Sequence, residues 1–241
     1  MLAKEPIIKK VRALLEAEPR VNLHRDPIDI DVVEDAVVLE GEVDDIAAKK
    51  LALELAASVP GPRGIVDRLH VRPVQRRGDG AIRDALCEAL LALAELKNCA
   101  IRVRVKGDVE TLRQAPADGA GEIEVAVEDG VVTLEGSVIS LSHKRIAGVL
   151  AWWTPGCRDV VNSLGVSPPE EDTDDEVADA LRLVFEIDPA LDPDGIVARV
   201  RNGVVTLEGH VRSEAERRRA EFGAWALFAV DRVVNKLEVR P

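Results

Sequence analysis

The hydrophobic and polar residues of this chain follow one pattern that occurs three times. Valine or leucine alternates with other residues through three similar stretches: AVVLEGEV (Ala36–Val43), VVTLEGSV (Val131–Val138) and VVTLEGHV (Val204–Val211). An alternation with period two predicts a strand that has one buried side. The three blocks align without a gap, and each closes on a proline at the same distance beyond its glycine. Repetition at a fixed spacing indicates repeated structural units.

Each of these strands is followed by residues with the periodicity of a helix. The predicted helices cover residues 45–58, 141–153 and 214–227. The residues that share the core-facing side of each helix are small or apolar, which predicts a helix lying close against a sheet. A last strand is then predicted at residues 65–71, 160–166 and 233–239. A strand-helix-strand connection of this length favours a right-handed crossover.

A first helix and a first strand are predicted upstream in every block. The helices cover residues 7–17, 82–96 and 177–185. The first strand is joined to the second by tight turns at Glu34-Asp35, Asp129-Gly130 and Asn202-Gly203. Asn-Gly between apolar runs is a strong hairpin signal. The predicted unit is therefore α-β-β-α-β.

This order of elements, with its VxLEGxV strands and later V-V-N-x-L strands, resembles the BON family of bacterial domains. The second and third copies match the pattern closely. The first departs from it, with Asp35-Ala36 in place of Gly-Val and Ile65-Val66-Asp67 in place of Val-Val-Asn. The resemblance implies a small sandwich of two helices and three strands, often in tandem. It also implies binding to phospholipid surfaces or other macromolecules, and no enzymatic activity.

The fold class expected is α+β, with three tandem sandwiches that each have a three-stranded mixed sheet and two helices. The predicted domains are residues 1–74, 75–168 and 174–241. The second contains an insertion at about 98–121, in which residues 100–105 alternate as an extra strand or an edge segment. A loop that varies inside a repeat can carry a binding surface, but a tolerated insertion is the preferred interpretation of this one.

The net negative charge of the chain opposes binding to partners that are themselves negatively charged. Among 241 residues, Lys and Arg number 32 and Asp and Glu number 44, giving a net charge of −12. This opposes nonspecific binding to nucleic acid, which requires basic residues at the phosphates, and purely electrostatic adhesion to anionic lipid. No signal-peptide core or membrane-spanning apolar run is present in the sequence. We therefore expect a cytoplasmic chain, unlike the exported members of the family.

The sequence offers no set of residues typical of catalysis or of metal binding. Gly-x-Ser-x-Gly, HExxH and Walker motifs are absent from it. The histidines (His24, His70, His143 and His210) occupy non-equivalent positions in the repeats. The acidic stretch at residues 168–176 is interpreted as a linker whose charges favour the start of the next helix. We expect no enzyme activity, no cofactor and no metal.

Cysteines and glycines are interpreted as structural. Cys87, Cys99 and Cys157 fit neither a disulfide framework nor a zinc site, and we expect reduced thiols, with Cys157 in an exposed turn. Asp79 is a predicted N-cap for the helix that follows it. The repeated glycines predict a bulge or a close approach by another backbone, and these are Gly41, Gly136 and Gly209.

One helix face is not explained by the core of a single repeat. Opposite the core side, the second helix of copy two carries Arg145, Val149 and Trp152, and that of copy three carries Arg218, Phe222 and Trp225. Copy one has Lys50, Glu54 and Ala57 at these positions. Three interpretations remain open: the aromatics belong to the core, they pack between repeats or in an oligomer, or they face lipid.

The function expected is that of a non-enzymatic binding or assembly module. Self-association as a homo-oligomer, or docking on a protein partner in a larger bacterial complex, is the first hypothesis. Binding to a phospholipid surface in a stress-related or envelope-related role is the alternative. Sensing of small solutes or cations through the acidic loops is a weaker one. No nucleic-acid partner and no transmembrane segment are expected.

Overall fold

A computed structural model describes residues 4–116 and 121–240 of the chain. Copy one contains α1 (Lys4–Ala17), β1 (Ile28–Val33), β2 (Ala36–Val43), α2 (Ile46–Ala57) and β3 (Gly64–Val71). Copy two contains α3 (Asp79–Ala92), β4 (Cys99–Val105), β5 (Asp108–Arg113), β6 (Gly121–Glu128), β7 (Val131–Val138), α4 (Leu141–Trp153), β8 (Asp159–Asn162) and β9 (Gly165–Val166). Copy three contains α5 (Asp174–Ile187), β10 (Ile196–Arg201), β11 (Val204–Val211), α6 (Glu214–Ala226), β12 (Arg232–Asn235) and β13 (Glu238–Val239).

The same sheet is built in every copy. The first two strands form an antiparallel hairpin, and the strand after the second helix pairs in parallel with the second strand of that hairpin. The α+β fold class and the three mixed sheets predicted from the sequence are therefore confirmed. The last strand is continuous only in copy one. In copies two and three it is divided into two short strands, β8 and β9 or β12 and β13, where the sequence predicts one.

The chain divides into two compact units, Met1–Arg72 and Pro73–Pro241. In the first unit, α1 and α2 cover one side of the sheet and bury a core that includes Val11, Leu15 and Leu39. The second unit contains copies two and three, and the helices of these two copies are in contact, since α4 packs against both α5 and α6.

The insertion in copy two is a β-hairpin that widens its sheet. Strand β4 lies parallel to β6, and β5 pairs antiparallel with β4, giving the order β5-β4-β6-β7-β8. The Arg113 guanidinium fixes this hairpin to the end of α3, because it donates to the carbonyl oxygens of Cys99 (3.0 Å), Leu91 (3.1 Å) and Leu96. Residues 117–120 of the predicted insertion lie outside the described residues.

The predicted role of Asp79 as an N-cap is wrong. Gly78 occupies that position, and the Asp79 carboxylate instead accepts from the backbone N–H groups of Asp129 (3.0 Å) and Gly130 (2.8 Å). Asp174 accepts in the same way from Asn202 and Gly203 in copy three. A carboxylate in the first helical turn thus holds the turn of the β-hairpin in both copies, because the sheet brings that turn to the start of the helix.

The prediction of an exposed Cys157 is also wrong. Gly156 adopts a φ of 97°, and the turn directs the Cys157 side chain into the core of copy two. Cys87 and Cys99 belong to the same core, and none of the three cysteines forms a disulfide. Burial raises the pKa of Cys87 to about 11 and also raises that of Cys99. The three cysteines therefore behave as small apolar core residues.

Candidate binding surfaces

Helix α4 is buried on two opposite sides. One side, with Ile146, Ala147, Leu150 and Ala151, belongs to the core of copy two. On the other side, Arg145 is 1% exposed and Val149 is fully buried without being part of that core. A helix that is buried all round must be covered by a second layer. Copy three provides that layer through α5 and α6.

Arg145 is held by groups that come later in the chain than copy two. Its guanidinium pairs with the carboxylate of Asp172, in the segment between copies two and three. The carbon of the guanidinium lies 4.6 Å from the centre of the Phe228 ring, just beyond α6. Because the charge is buried, this cation–π contact is of the stronger, desolvated kind. The α4 face (Arg145, Val149 and Trp152) therefore carries a buried charge inside the second unit.

A second arginine and aromatic pair lies across the same boundary. Arg219 of α6 stacks over the Trp153 ring of copy two at 5.0 Å, and its Nε donates to the Asp188 carboxylate at 2.5 Å. The Asp188 side chain is fully buried at the end of α5. Leu183 and Ile187 of α5 pack against the core of copy two. Copies two and three are thus joined by apolar contacts and by one arginine from each copy, Arg145 and Arg219.

The equivalent positions in the other copies have different surroundings. In the α6 face (Arg218, Phe222 and Trp225), Arg218 is exposed, Phe222 is half-buried and Trp225 is 2% exposed. In copy one, the corresponding residues are half-buried or exposed, and they are Lys50, Glu54 and Ala57. Residues at the same position of the repeat therefore differ in how deeply they are buried. In the α4 face Arg145 and Val149 are buried and Trp152 is half-buried against the core of copy two, while part of the α6 face is accessible.

The repeated glycines lie where two backbones come together. Gly41, Gly136 and Gly209 have φ values of 151°, 123° and 116°, in the region that side chains rarely adopt. A Cβ atom at any of them would lie within 3.0 Å of the carbonyl oxygen of the neighbouring strand segment, at Pro27, Glu122 or Gly195. These glycines therefore permit close pairing at the start of each hairpin.

The outer side of each sheet, away from the helices, carries the charges. The glutamate of each LEG motif points to this side and pairs with a base: Glu40 with Arg68 (3.1 Å), Glu135 with Arg104 (2.9 Å) and Glu208 with Arg199 (2.6 Å). These ion pairs were not predicted from the sequence. The strand pattern does indicate them, because the polar residues of each alternating strand lie on the same side of the sheet.

The outer sides differ in sign from copy to copy. On the outer side of copy one acids outnumber bases, and the acidic face consists of Asp29, Asp31, Glu40 and Glu42. On the outer side of copy three bases outnumber acids, and the basic face consists of Arg199, Arg201, Arg232 and Lys236. In copy two the inserted strand β4 offsets part of the acidic charge, because Arg102 pairs with Glu122 at 2.9 Å and Arg104 pairs with both Glu124 and Glu135.

Neither a metal centre nor a membrane span is found in the part of the chain that the structure describes. Across residues 4–116 and 121–240, no three His, Cys, Asp or Glu side chains are grouped so that they could hold a metal ion. Over the same ranges, no helix has the length and the apolar character needed to cross a membrane. The polar groups on these surfaces instead form ion pairs, hydrogen bonds and helix caps.

These features define a class of protein: a tandem array of small α+β sandwiches that presents helix and sheet surfaces for binding. The profile of the BON domain matches residues 3–73, 109–168 and 173–241. The chain therefore belongs to the BON domain family, and the three copies predicted from the sequence are confirmed. Domains of this family are binding modules of a non-catalytic type.

No match is found among curated proteins. The solved structures that are similar include two of CdsD, a structural protein of the type III secretion system of Chlamydia trachomatis. One, of its C-terminal domain, is 12% identical with a TM-score of 0.25 and full coverage of both chains. The other is 13% identical with a TM-score of 0.25, and covers 98% of this chain and 93% of that one.

Proposed function

We propose that this chain is a non-catalytic assembly module whose ligand is protein and whose first partner is a second copy of itself. The observation that carries the proposal is the α4 face. Its Arg145 and Val149 are buried where copy three covers the helix, so BON copies of this chain already bind one another through side chains absent from copy one. Packing between repeats is thus the interpretation of these residues that their contacts favour.

The accessible part of the α6 face supports the extension of this packing beyond one chain. Arg218 and Phe222 occupy the helix positions that Arg145 and Val149 occupy in copy two, yet Arg218 is exposed and Phe222 is only half-buried. Arginine and aromatic residues are enriched in protein interfaces. Phe222 and Arg218 are therefore the members of the predicted contact set that are available to a partner.

The test measures the mass of the full chain in solution over a range of concentrations, with and without anionic phospholipid vesicles. We expect a mass that rises above that of the monomer with concentration, and no protein in the vesicle pellet. The net charge of −12 opposes adsorption to an anionic surface. A chain that stays monomeric at every concentration and sediments with the vesicles would instead support binding to phospholipid.

A further inference from the structure

The outer side of the copy-one sheet presents acids around an apolar centre. Asp29 and Asp31 of β1 point outward, as does Val33, which is 47% exposed. Across the sheet, Asp31 lies opposite Val38, and Val38 lies opposite Val66. Together these residues line an open concavity of about 460 Å³, with Arg12 and Arg68 as the bases at its rim.

The same register positions in copy three carry positive instead of negative charge. Val197 and Arg199 replace Asp29 and Asp31, and Arg201 replaces Val33. Val197 is 48% exposed, and it provides an apolar contact beside the two arginines. The exposed Arg232 of β12 and Lys236 extend the positive charge across this sheet. Glu208 and Glu238 are the acids on this side.

We propose that the acidic face of one molecule binds the basic face of a second copy of this chain. The inference rests on the proposed function and adds a pair of sheet surfaces to the α6 face as contacts between molecules. Two sheets can pack face to face with interdigitating side chains, and opposite potentials select this orientation over pairing of like faces. The exposed valines of both faces, Val33, Val66 and Val197, are then covered.

In copy two, Arg102 and Arg104 of the inserted hairpin offset part of the outer acidic charge, at 2.9 Å for Arg102–Glu122 and for Arg104–Glu135. Copies one and three differ most in sign, because acids predominate on the outer side of the first and bases on that of the third. A contact between two different faces is heterologous, so each molecule that joins leaves one acidic and one basic face free. Association is open-ended unless the rotation between molecules closes a ring.

The experiment uses charge reversal on the full chain. Asp29→Arg with Asp31→Arg makes both faces basic, and Arg199→Glu with Arg201→Glu makes both acidic. Each variant alone should associate at least about tenfold more weakly than the natural chain, because like charges then meet. An equimolar mixture should restore association, because the unchanged basic face of the first variant meets the unchanged acidic face of the second. Sedimentation equilibrium measures both effects.

The control reverses the same number of charges on the helix side of copy one. Glu16→Arg with Glu54→Arg alters two exposed residues on α1 and α2, and it should leave the association constant unchanged. Circular dichroism verifies that every variant is folded. If the natural chain associates but the face variants associate equally well, or if their mixture fails to recover, this inference is wrong while the proposed function stands. A natural chain that is monomeric at all concentrations overturns both.

Discussion

At the scale of single residues, copy one differs from copies two and three in the polar contact between its last strand and its second helix. In copies two and three the asparagine of the V-V-N strand donates to a carbonyl of the second helix, from Asn162 to Lys144 (2.8 Å) and from Asn235 to Arg217 (3.1 Å). Copy one has Asp67 there, and a carboxylate cannot donate. The buried ammonium of Lys49 instead reaches Asp67 Oδ2 at 2.9 Å and the Leu69 carbonyl at 2.6 Å.

Removing this ammonium should destabilise copy one. We expect Lys49→Met to lower the free energy of unfolding by about 1–3 kcal/mol, because the Leu69 carbonyl and the Asp67 carboxylate lose their donor. Adding Asp67→Asn to that variant should recover part of the loss, since the amide can donate as it does in the other copies. Denaturant unfolding of both variants measures the coupling. Equal stability of the single and double variants would contradict this account.

The repeated glycines are expected to be essential to the hairpins. Gly136→Val should lower the stability of the second unit by at least about 1 kcal/mol, because the valine Cβ would meet the Glu122 carbonyl at a φ of 123°. Gly64→Val provides the control, since a Cβ there meets no atom within 4 Å. Thermal melting compares the two, and similar shifts would show that the close approach is not the cause.

The buried thiol of Cys87 should make stability depend on alkaline pH. Its pKa is raised from 9.0 to about 11, chiefly by burial, so the folded state favours the neutral thiol. The contribution is complete below pH 9.0 and is lost as the pH rises towards 11. In Cys87→Ala, the stability of the second unit should fall less over this interval. Identical pH profiles of the two proteins, measured by denaturant unfolding, would argue against this role.

At the scale of elements, one position of the second helix is buried in copy two and exposed in copy three. Arg145 of α4 and Arg218 of α6 are equivalent in the repeat, yet the first is 1% exposed beneath copy three and the second is exposed. The difference arises from the neighbours of each helix. Asp172 and Phe228, both later in the chain than copy two, hold the Arg145 guanidinium.

We expect Arg145→Ala to lower the stability of the second unit by about 2 kcal/mol or more, because it removes a buried guanidinium that pairs with Asp172 and contacts an aromatic ring. Arg218→Ala is the matched control and should change stability by less than about 0.5 kcal/mol, as at other exposed positions. Calorimetry should show a lower melting temperature, or two transitions in place of one, only for Arg145→Ala. Equal effects of the two substitutions would mean that α4 is not a boundary between copies.

At the scale of the whole molecule, the two connections between copies differ in character. Residues 74–78 are exposed, and they include Arg76 and Arg77. The connection between copies two and three is fixed to α4, because Glu170 accepts from the Leu141 N–H at 2.7 Å and Asp172 pairs with Arg145. The first connection therefore joins two compact units, and the second lies within one of them.

Limited proteolysis should distinguish these connections. Trypsin should cleave first after Arg76 or Arg77 and release copy one from an intact fragment that holds copies two and three. A glutamate-specific protease should cleave slowly at Glu170 and Glu171, although both are exposed, because the backbone there is held against α4. Mass spectrometry identifies the fragments. Early cleavage between copies two and three would contradict the single second unit.

The repeat, its order of elements and its family can be predicted from the sequence alone, because period-two and helical patterns reflect burial within one copy. The V-V-T-L-E-G strands and their resemblance to a known family were enough to predict the fold of copies two and three. The same patterns identified Arg145 and Val149 as side chains outside the core of one copy, but Trp152, which they placed on the same face, packs against the core of copy two. These inferences all concern residues that are close in sequence or that share one element.

Which of these side chains are covered depends on the packing of the folded chain. Arg145 and Arg218 have the same place in the pattern, but burial depends on Asp172, Phe228 and the helices of the next copy, which no local period encodes. The inward turn of Cys157 and the contact of Asp79 with Gly130 have the same cause. The packing of distant segments sets the environment of each of these residues, because a contact across the sheet or between copies joins positions that local sequence does not relate.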